Sequence, residues 1–206
     1  MHLSVRPAAA SDLPFFHEIC LKTGFYGEDA TSLCGDHLIL GELYAAPYLF
    51  HDIDLCFVAL QDGTPAGYCV GSADTLDFAR WMESSWLPAI RARYQDRQTP
   101  ERRASDFERK VFRSLAARPE GFDPELRPWL ADYPAHLHVD LLPALQGKGF
   151  AKALVDAFCR ELRSRDCPGV HLDVSARNPR AIRFYEKMGF EVLVHGDGGL
   201  LMGKKT

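Results

Sequence analysis

A chain of 206 residues, 47% hydrophobic and 11% aromatic, can bury one sizeable core and needs no disulfide staples. Its formal charge of -4 and isoelectric point near 6.1 give no global attraction to phosphate polymers or anionic lipid, which sets nucleic-acid and membrane partners aside. Cys20, Cys34, Cys56, Cys69, Cys159 and Cys167 lack C-x-x-C spacing, and no basic stretch followed by an apolar run opens the chain, so free thiols and a soluble cytoplasmic protein are expected.

Residues 2–6 alternate Leu3 and Val5 with polar neighbours and predict a short strand that Pro7 ends. Ser11 or Asp12 can cap a helix that tolerates Pro14 in its first turn and carries Phe15, Phe16, Ile19 and Cys20 as its apolar stripe up to Gly24. A second helix is expected over residues 36–45. Strands over 55–60 and 66–71 flank Gln61-Asp62-Gly63-Thr64-Pro65, where Asp-Gly supplies the positive dihedrals of a tight hairpin. From residue 73 to 133 the character changes: Trp81, Trp86, Trp129, Tyr94 and Phe112 stand among charged residues, broken by Pro88, Pro100, Pro119, Pro124, Pro128 and Pro134. Two or three short helices are expected there, because an unstructured connection of that length is rare in a compact domain. Leu137, Val139 and Leu141 alternate in the next strand, Phe150, Leu154, Phe158 and Leu162 recur at helical spacing over 149–165, and 170–175 reads as another strand. Asn178 caps a helix with Pro179 in its first turn, a stripe of Ala181, Phe184, Tyr185 and Met188, and Gly189 at its end. Residues 190–194 and 200–204 bracket a final hairpin. Together these predict one α/β domain over residues 1–206 with a helical insertion at 73–133.

Gln146-Gly147-Lys148-Gly149-Phe150-Ala151 lies between an apolar strand and an amphipathic helix, where main-chain N–H groups converge at the positive end of the helix dipole. Gly147, Gly149 and Ala151 leave room for phosphates to approach the backbone, and Lys148 and Lys152 add positive charge. A strand-to-helix turn that needs glycine for geometry alone explains the same residues. The loop is neither G-x-G-x-x-G nor G-x-x-x-x-G-K-[ST]. Gln-x-x-Gly-x-Ala instead resembles the pyrophosphate-binding signature of GNAT acyltransferases. The resemblance continues through Leu141-Leu142-Pro143, the loop and its helix, and Asn178-x-x-Ala181-x-x-Phe184-Tyr185-x-x-x-Gly189-Phe190. Within that superfamily, the stretch from His136 to Pro143 and that from Pro168 to Asn178 look like the acetyltransferase-like C-terminal domain of O-GlcNAcase and its stand-alone bacterial relatives; no glycosidase domain is present, so hydrolase activity does not carry over.

The resemblance implies a mixed sheet of six or seven strands splayed between the fourth and fifth, with helices on both faces and acetyl-CoA as cofactor, its pantetheine arm entering the gap like an extra strand. By position, Leu141 and Leu142 main-chain groups would meet the pantetheine amides, and the Leu142 N–H would stabilise an oxyanion. Tyr185 stands where many GNAT enzymes place the general acid, although an aromatic core stripe with Phe184 predicts it equally. Asn178 can cap its helix and also bond the cofactor. Arg180, and less so Arg183 and Lys187, can reach its phosphates, although exposed basic residues are usually a solvated face.

Period-two geometry puts His136, His138, Asp140 and Leu142 on one face of their strand and His171, Asp173 and Ser175 on one face of the next. Parallel strands covered on both sides are normally apolar, so this polarity calls for either catalysis or a polar strand end. Histidine titrates near cellular pH, which makes His138 the first choice of base, with Asp140 orienting it or acting through water; both bonding core backbone instead is the plain alternative. The insertion is expected to roof the acceptor site, with the three tryptophans as an aromatic wall and Asp74 and Asp77 facing a cationic acceptor. No metal site is expected from the scattered histidines. The leading expectation is direct ternary-complex transfer to an unidentified amine by a monomer or homodimer. The rivals are a catalytically silent acetyl-CoA-binding module and a protein-interaction domain, told apart by acceptor-dependent thiol release and by CoA binding. Histone, aminoglycoside, polyamine and metabolite acceptors all stay open.

Overall fold

A computed structural model describes residues 4–95, 105–116 and 127–206. The strands are β1 (Ser4–Pro7), β2 (Phe57–Gln61), β3 (Thr64–Ser72), β4 (Ala135–Leu141), β5 (Gly169–Ser175), β6 (Glu191–His195) and β7 (Gly199–Lys205), and they form one sheet in the order β1-β2-β3-β4-β5-β7-β6. Only β4 and β5 are parallel, and they pair only as Ala135 with Val170 and His136 with His171. β4 stays paired with β3 through Leu141, while β5 stays paired with β7 from Gly169 to Ser175. Each half-sheet therefore satisfies its own ladder, and the two part beyond His136. This is the expected splay.

Helices α1 (Leu13–Thr23), α2 (Ile39–Tyr44) and α3 (Ala46–His51) pack on one face of the sheet, joined by α4 (Thr75–Trp81), α5 (Leu87–Gln95) and α6 (Asp106–Ala116) of the insertion. The helices α7 (Phe150–Ser164) and α8 (Pro179–Lys187) cover the other. Phe16, Ile19 and Cys20 of α1 are buried, and Phe16 stacks on Tyr68 of β3 at 4.9 Å. Phe150, Leu154, Phe158 and Leu162 make the buried stripe of α7, as their spacing predicts.

The local signals act through backbone geometry. Asp62 and Gly63 take φ of +50° and +86°, the two left-handed residues that a two-residue hairpin requires. Asn178 Oδ1 accepts the Ala181 N–H at 3.0 Å, Pro179 opens α8, and Gly189 ends it at φ +83°. Asp12 differs from expectation. Its carboxylate does not cap α1 but accepts from both terminal nitrogens of Arg6, at 2.7 and 2.8 Å, and from the Ala9 N–H at 2.8 Å, tying β1 to the helix start. The helix expected over 36–45 is shortened to α2 and followed by α3, because Pro47 suits a first turn and its ring excludes continuation of the preceding one. A 3₁₀ turn, Ile53–Leu55, delays β2 to Phe57. Residues 2–3 of the first expected strand, and Pro100, Pro119 and Pro124 of the insertion, lie outside the described residues. Among the described residues no helix is long and apolar enough to cross a membrane.

Candidate active site

The splay exposes one edge of β4. The Leu142 N–H donates to Ala66 O at 2.9 Å, and antiparallel alternation then directs the main chain of His136, His138 and Asp140 toward β3 and that of Leu137, Val139 and Leu141 toward the gap. The Leu142 N–H is thus consumed within the sheet, correcting the oxyanion role expected for it. Leu141 O accepts from Gln146 Nε2 at 2.9 Å, which leaves the Val139 main chain and the Leu141 N–H as the groups turned toward the gap.

Gln146 is a clasp: its Oε1 also accepts from Arg180 at 2.5 Å, joining the end of β4 to the start of α8 across the mouth of the gap. Beside it Gly147 and Gly149 hold φ of +73° and +86°. A Cβ on Gly147 would meet no atom within 4 Å, so the cradle opens on free space. Ala153 is the first residue past the loop to bond the helical way, to Gly149 O at 3.1 Å, and the preceding turn of α7 directs its N–H groups outward. A cavity of about 590 Å³ runs from Gln146, Gly147 and Ala151 past Asn178 and Arg180 to Val139 and Leu141. Its cradle, dipole and edge of extended main chain fit a diphosphate with an amide-bearing tail. The Lys152 ammonium pairs with Asp156 at 2.5 Å along the helix. The Phe150 side chain is core, so only its main chain can serve the loop. Lys148 and Gly149 do not line the cavity.

Asp140 and Tyr185 both line this cavity and a second one of about 500 Å³ that extends to His138, Asp173 and Ser175. Tyr68, fully buried, donates its hydroxyl to Asp140 Oδ2 at 2.7 Å. Burial raises the Asp140 carboxyl above its ordinary range, opposed by the Tyr68 bond and by His138. Tyr185 is raised by burial first and then by the Asp140 charge, so its phenol keeps its proton. Its hydroxyl has no hydrogen-bond partner among the described residues.

His138 lines the second cavity and a third of about 390 Å³, but not the first. His136 is spoken for. Thr75 gives its only hydroxyl proton to Pro134 O at 2.7 Å, so it accepts from His136 Nδ1 at 2.8 Å, and His136 Nε2 then accepts from the Tyr48 hydroxyl at 2.9 Å. Burial, then His138, His171 and His51, holds His136 well below its ordinary pKa and neutral. His171 Nδ1 likewise donates to Tyr133 O at 2.8 Å. No three His, Cys, Asp or Glu side chains among the described residues form a group that could hold a metal ion.

Several lining residues carried no sequence signal. Thr23, Tyr26 and Gly27 border both the first and second cavities, with Arg177 stacked over Tyr26 at 5.4 Å and Gly27 at φ +94° close against Asn178. From the insertion, Phe107, Lys110, Val111 and Ser114 of α6 line the second cavity. The tryptophans do not line any of the three cavities; Trp81 and Trp86 stack on each other at 5.8 Å, and Trp86 Nε1 donates to Glu42 O at 2.8 Å. Asp74 caps α4 through the Leu76 and Asp77 N–H groups, Asp77 pairs with Arg80 and His51, and neither lines any of the three cavities.

The profile of the acetyltransferase (GNAT) family matches residues 30–190. The chain belongs to this family. Across its whole length the GNAT chain superposes on the crystal structure of SsHAT with a TM-score of 0.87 and 34% identity, covering 98% of that protein. It also superposes on the PaiA N-acetyltransferase of Thermoplasma acidophilum, solved with coenzyme A, over 100% of both chains with a TM-score of 0.56 and 16% identity, a likeness of fold. It is 34% identical over 71 residues to acetyltransferase SG1711 of Sodalis glossinidius. That match spans 34% of this GNAT chain and 48% of SG1711, about half its length.

Proposed function

We propose that this GNAT chain transfers the acetyl group of acetyl-CoA directly to an amine, with Asp140 as proton acceptor and Tyr185 as proton donor. Bound acetyl-CoA supplies an activated thioester. The loop from Gln146 to Ala151 and the outward amides of α7 hold its diphosphate, with Gln146 and Arg180 closing one side. Val139 and Leu141 present main-chain groups to its amide-bearing tail, and an N–H here takes the charge-stabilising part first expected of Leu142. Asp140 receives the amine proton, with Tyr68 fixing the carboxylate and His138 next along the acceptor's path. Tyr185, kept protonated, gives its proton to the departing sulfur. The carrying observation is that Asp140 and Tyr185 stand together at the boundary of two cavities, one leading to the cradle and one away from it. A silent module has no need of a raised carboxyl and a proton-bearing phenol at that boundary. The nearer kinship with the O-GlcNAcase C-terminal domain and its bacterial relatives is part of this proposal, supported by the residues from His136 to Pro143 and from Pro168 to Asn178.

Thiol release from acetyl-CoA across an amine panel tests the proposal. Tyr185→Phe is expected to lower the acceptor-dependent rate about 100-fold with acetyl-CoA affinity unchanged; an unchanged rate in this variant removes Tyr185 from the chemistry.

A further inference from the structure

The second and third cavities share Tyr44, Ser114, His138 and Asp173 as walls, so the space that begins at Asp140 and Tyr185 continues past His138 into a chamber beneath α3 and α4. There the rings of Tyr48 and Phe78 stack on each other at 4.4 Å, within 5° of parallel, and with Leu43, Met82, Leu87 and Leu172 they form the apolar part of a lining that also holds Thr75, Ser114 and His171. His136 adds no charge to it, since both ring nitrogens are spent on Tyr48 and Thr75 and burial keeps the imidazole neutral. The Arg127 guanidinium, also in the lining, lies over the Trp129 ring at 5.7 Å.

Negative charge is concentrated at the near end. Asp140 lines the second cavity, and Asp173 stands where the two cavities join. An ammonium group drawn into the far chamber would shed its water beside the Arg127 guanidinium with no carboxylate in the lining beyond Asp173, whereas a flat uncharged group would gain from burial against the leucines and ring edges. From Asp140 to His136 is four residues of β4, roughly 13 Å at the rise of a strand. The occupant must span most of that distance while keeping its nitrogen at Asp140.

We infer that the acceptor is an elongated primary amine whose nitrogen sits at Asp140 and whose far end is a flat, uncharged aromatic or apolar group held against Tyr48 and Phe78. This rests on the acetyl-transfer reading and narrows it: polyamines and oligocationic sugars place positive charge in the chamber that offers it least.

Calorimetric titration with 4-phenylbutylamine, n-butylamine and spermidine, without any acyl donor, tests it. The phenylalkylamine is expected to bind at least 10-fold more tightly than either of the others. Ser114→Trp fills the chamber from an exposed position of α6, and should abolish that preference while leaving CoA titration unchanged. Phe78→Ala should weaken 4-phenylbutylamine at least 10-fold and n-butylamine little. Spermidine binding as tightly as the phenylalkylamine, or Ser114→Trp retaining the preference, overturns the inference. Because the amines are titrated alone, a missing response to CoA would count against acetyl transfer and not against the chamber.

Discussion

Asp140 has the surroundings of a working base: a carboxylate part-exposed to the groove, anchored by one buried phenol and raised by burial above its usual range. The sign of the pH response follows. A base acts only when deprotonated, so kcat/KM should rise with pH through an apparent pKa above the ordinary carboxylate value of about 3.9. Asp140→Asn should remove that limb and lower the rate about 100-fold, whereas a limb that survives in the variant would transfer the role to His138. Alternation along β4 puts His138 and Asp140 on one face from sequence alone, and the resemblance of the α8 motif to GNAT enzymes offers Tyr185, which helix spacing alone reads as core. What the sequence did not carry was the ranking, because it depends on Tyr68, a residue 72 positions away that only sheet pairing brings within reach. Leu142 was misplaced for the same reason: the direction of a strand N–H is fixed by the partner register, here Ala66, and not by the residue itself.

The elements whose ends are set by local chemistry were the legible ones. Asp62-Gly63, Asn178-Pro179 and Gly189 each impose a dihedral or a cap that tertiary packing has little reason to overrule. The helices before β2 and within the insertion were legible only as helices, since Pro47 and the short turns around it divide the chain by packing demands that periodicity does not express. The opening between β4 and β5 depends on β3 holding β4 closely, and Gly71 makes that possible. A Cβ there would lie 2.1 Å from His136 O and 2.6 Å from the Phe158 ring. Gly71→Ala is therefore expected to cost about 1–3 kcal/mol in urea unfolding, as overpacking of a close backbone contact does. An unchanged midpoint would mean that the half-sheet tolerates a wider spacing.

At the scale of the whole molecule, two half-sheets, each with its own complete ladder, enclose a slot that runs from the glycine cradle past Asp140 and Tyr185 to the chamber walled by Tyr48 and Phe78. The family was legible because its loop and α8 motifs are contiguous in sequence. The far chamber is not, because it is assembled from α2, α3, α4, α5, α6, β4 and β5 with no motif of its own, and Trp81 and Trp86 pack on each other outside it. The proposed transfer depends on the main chain around Gly147 gripping a diphosphate, and titration calorimetry with CoA on the intact chain tests that grip. Asp tolerates positive φ, so Gly147→Asp keeps the turn while setting a carboxylate in the cradle. Saturable binding by the unaltered protein and at least a 10-fold loss in the variant are expected; no heat with CoA, or equal affinity in both, would contradict the grip.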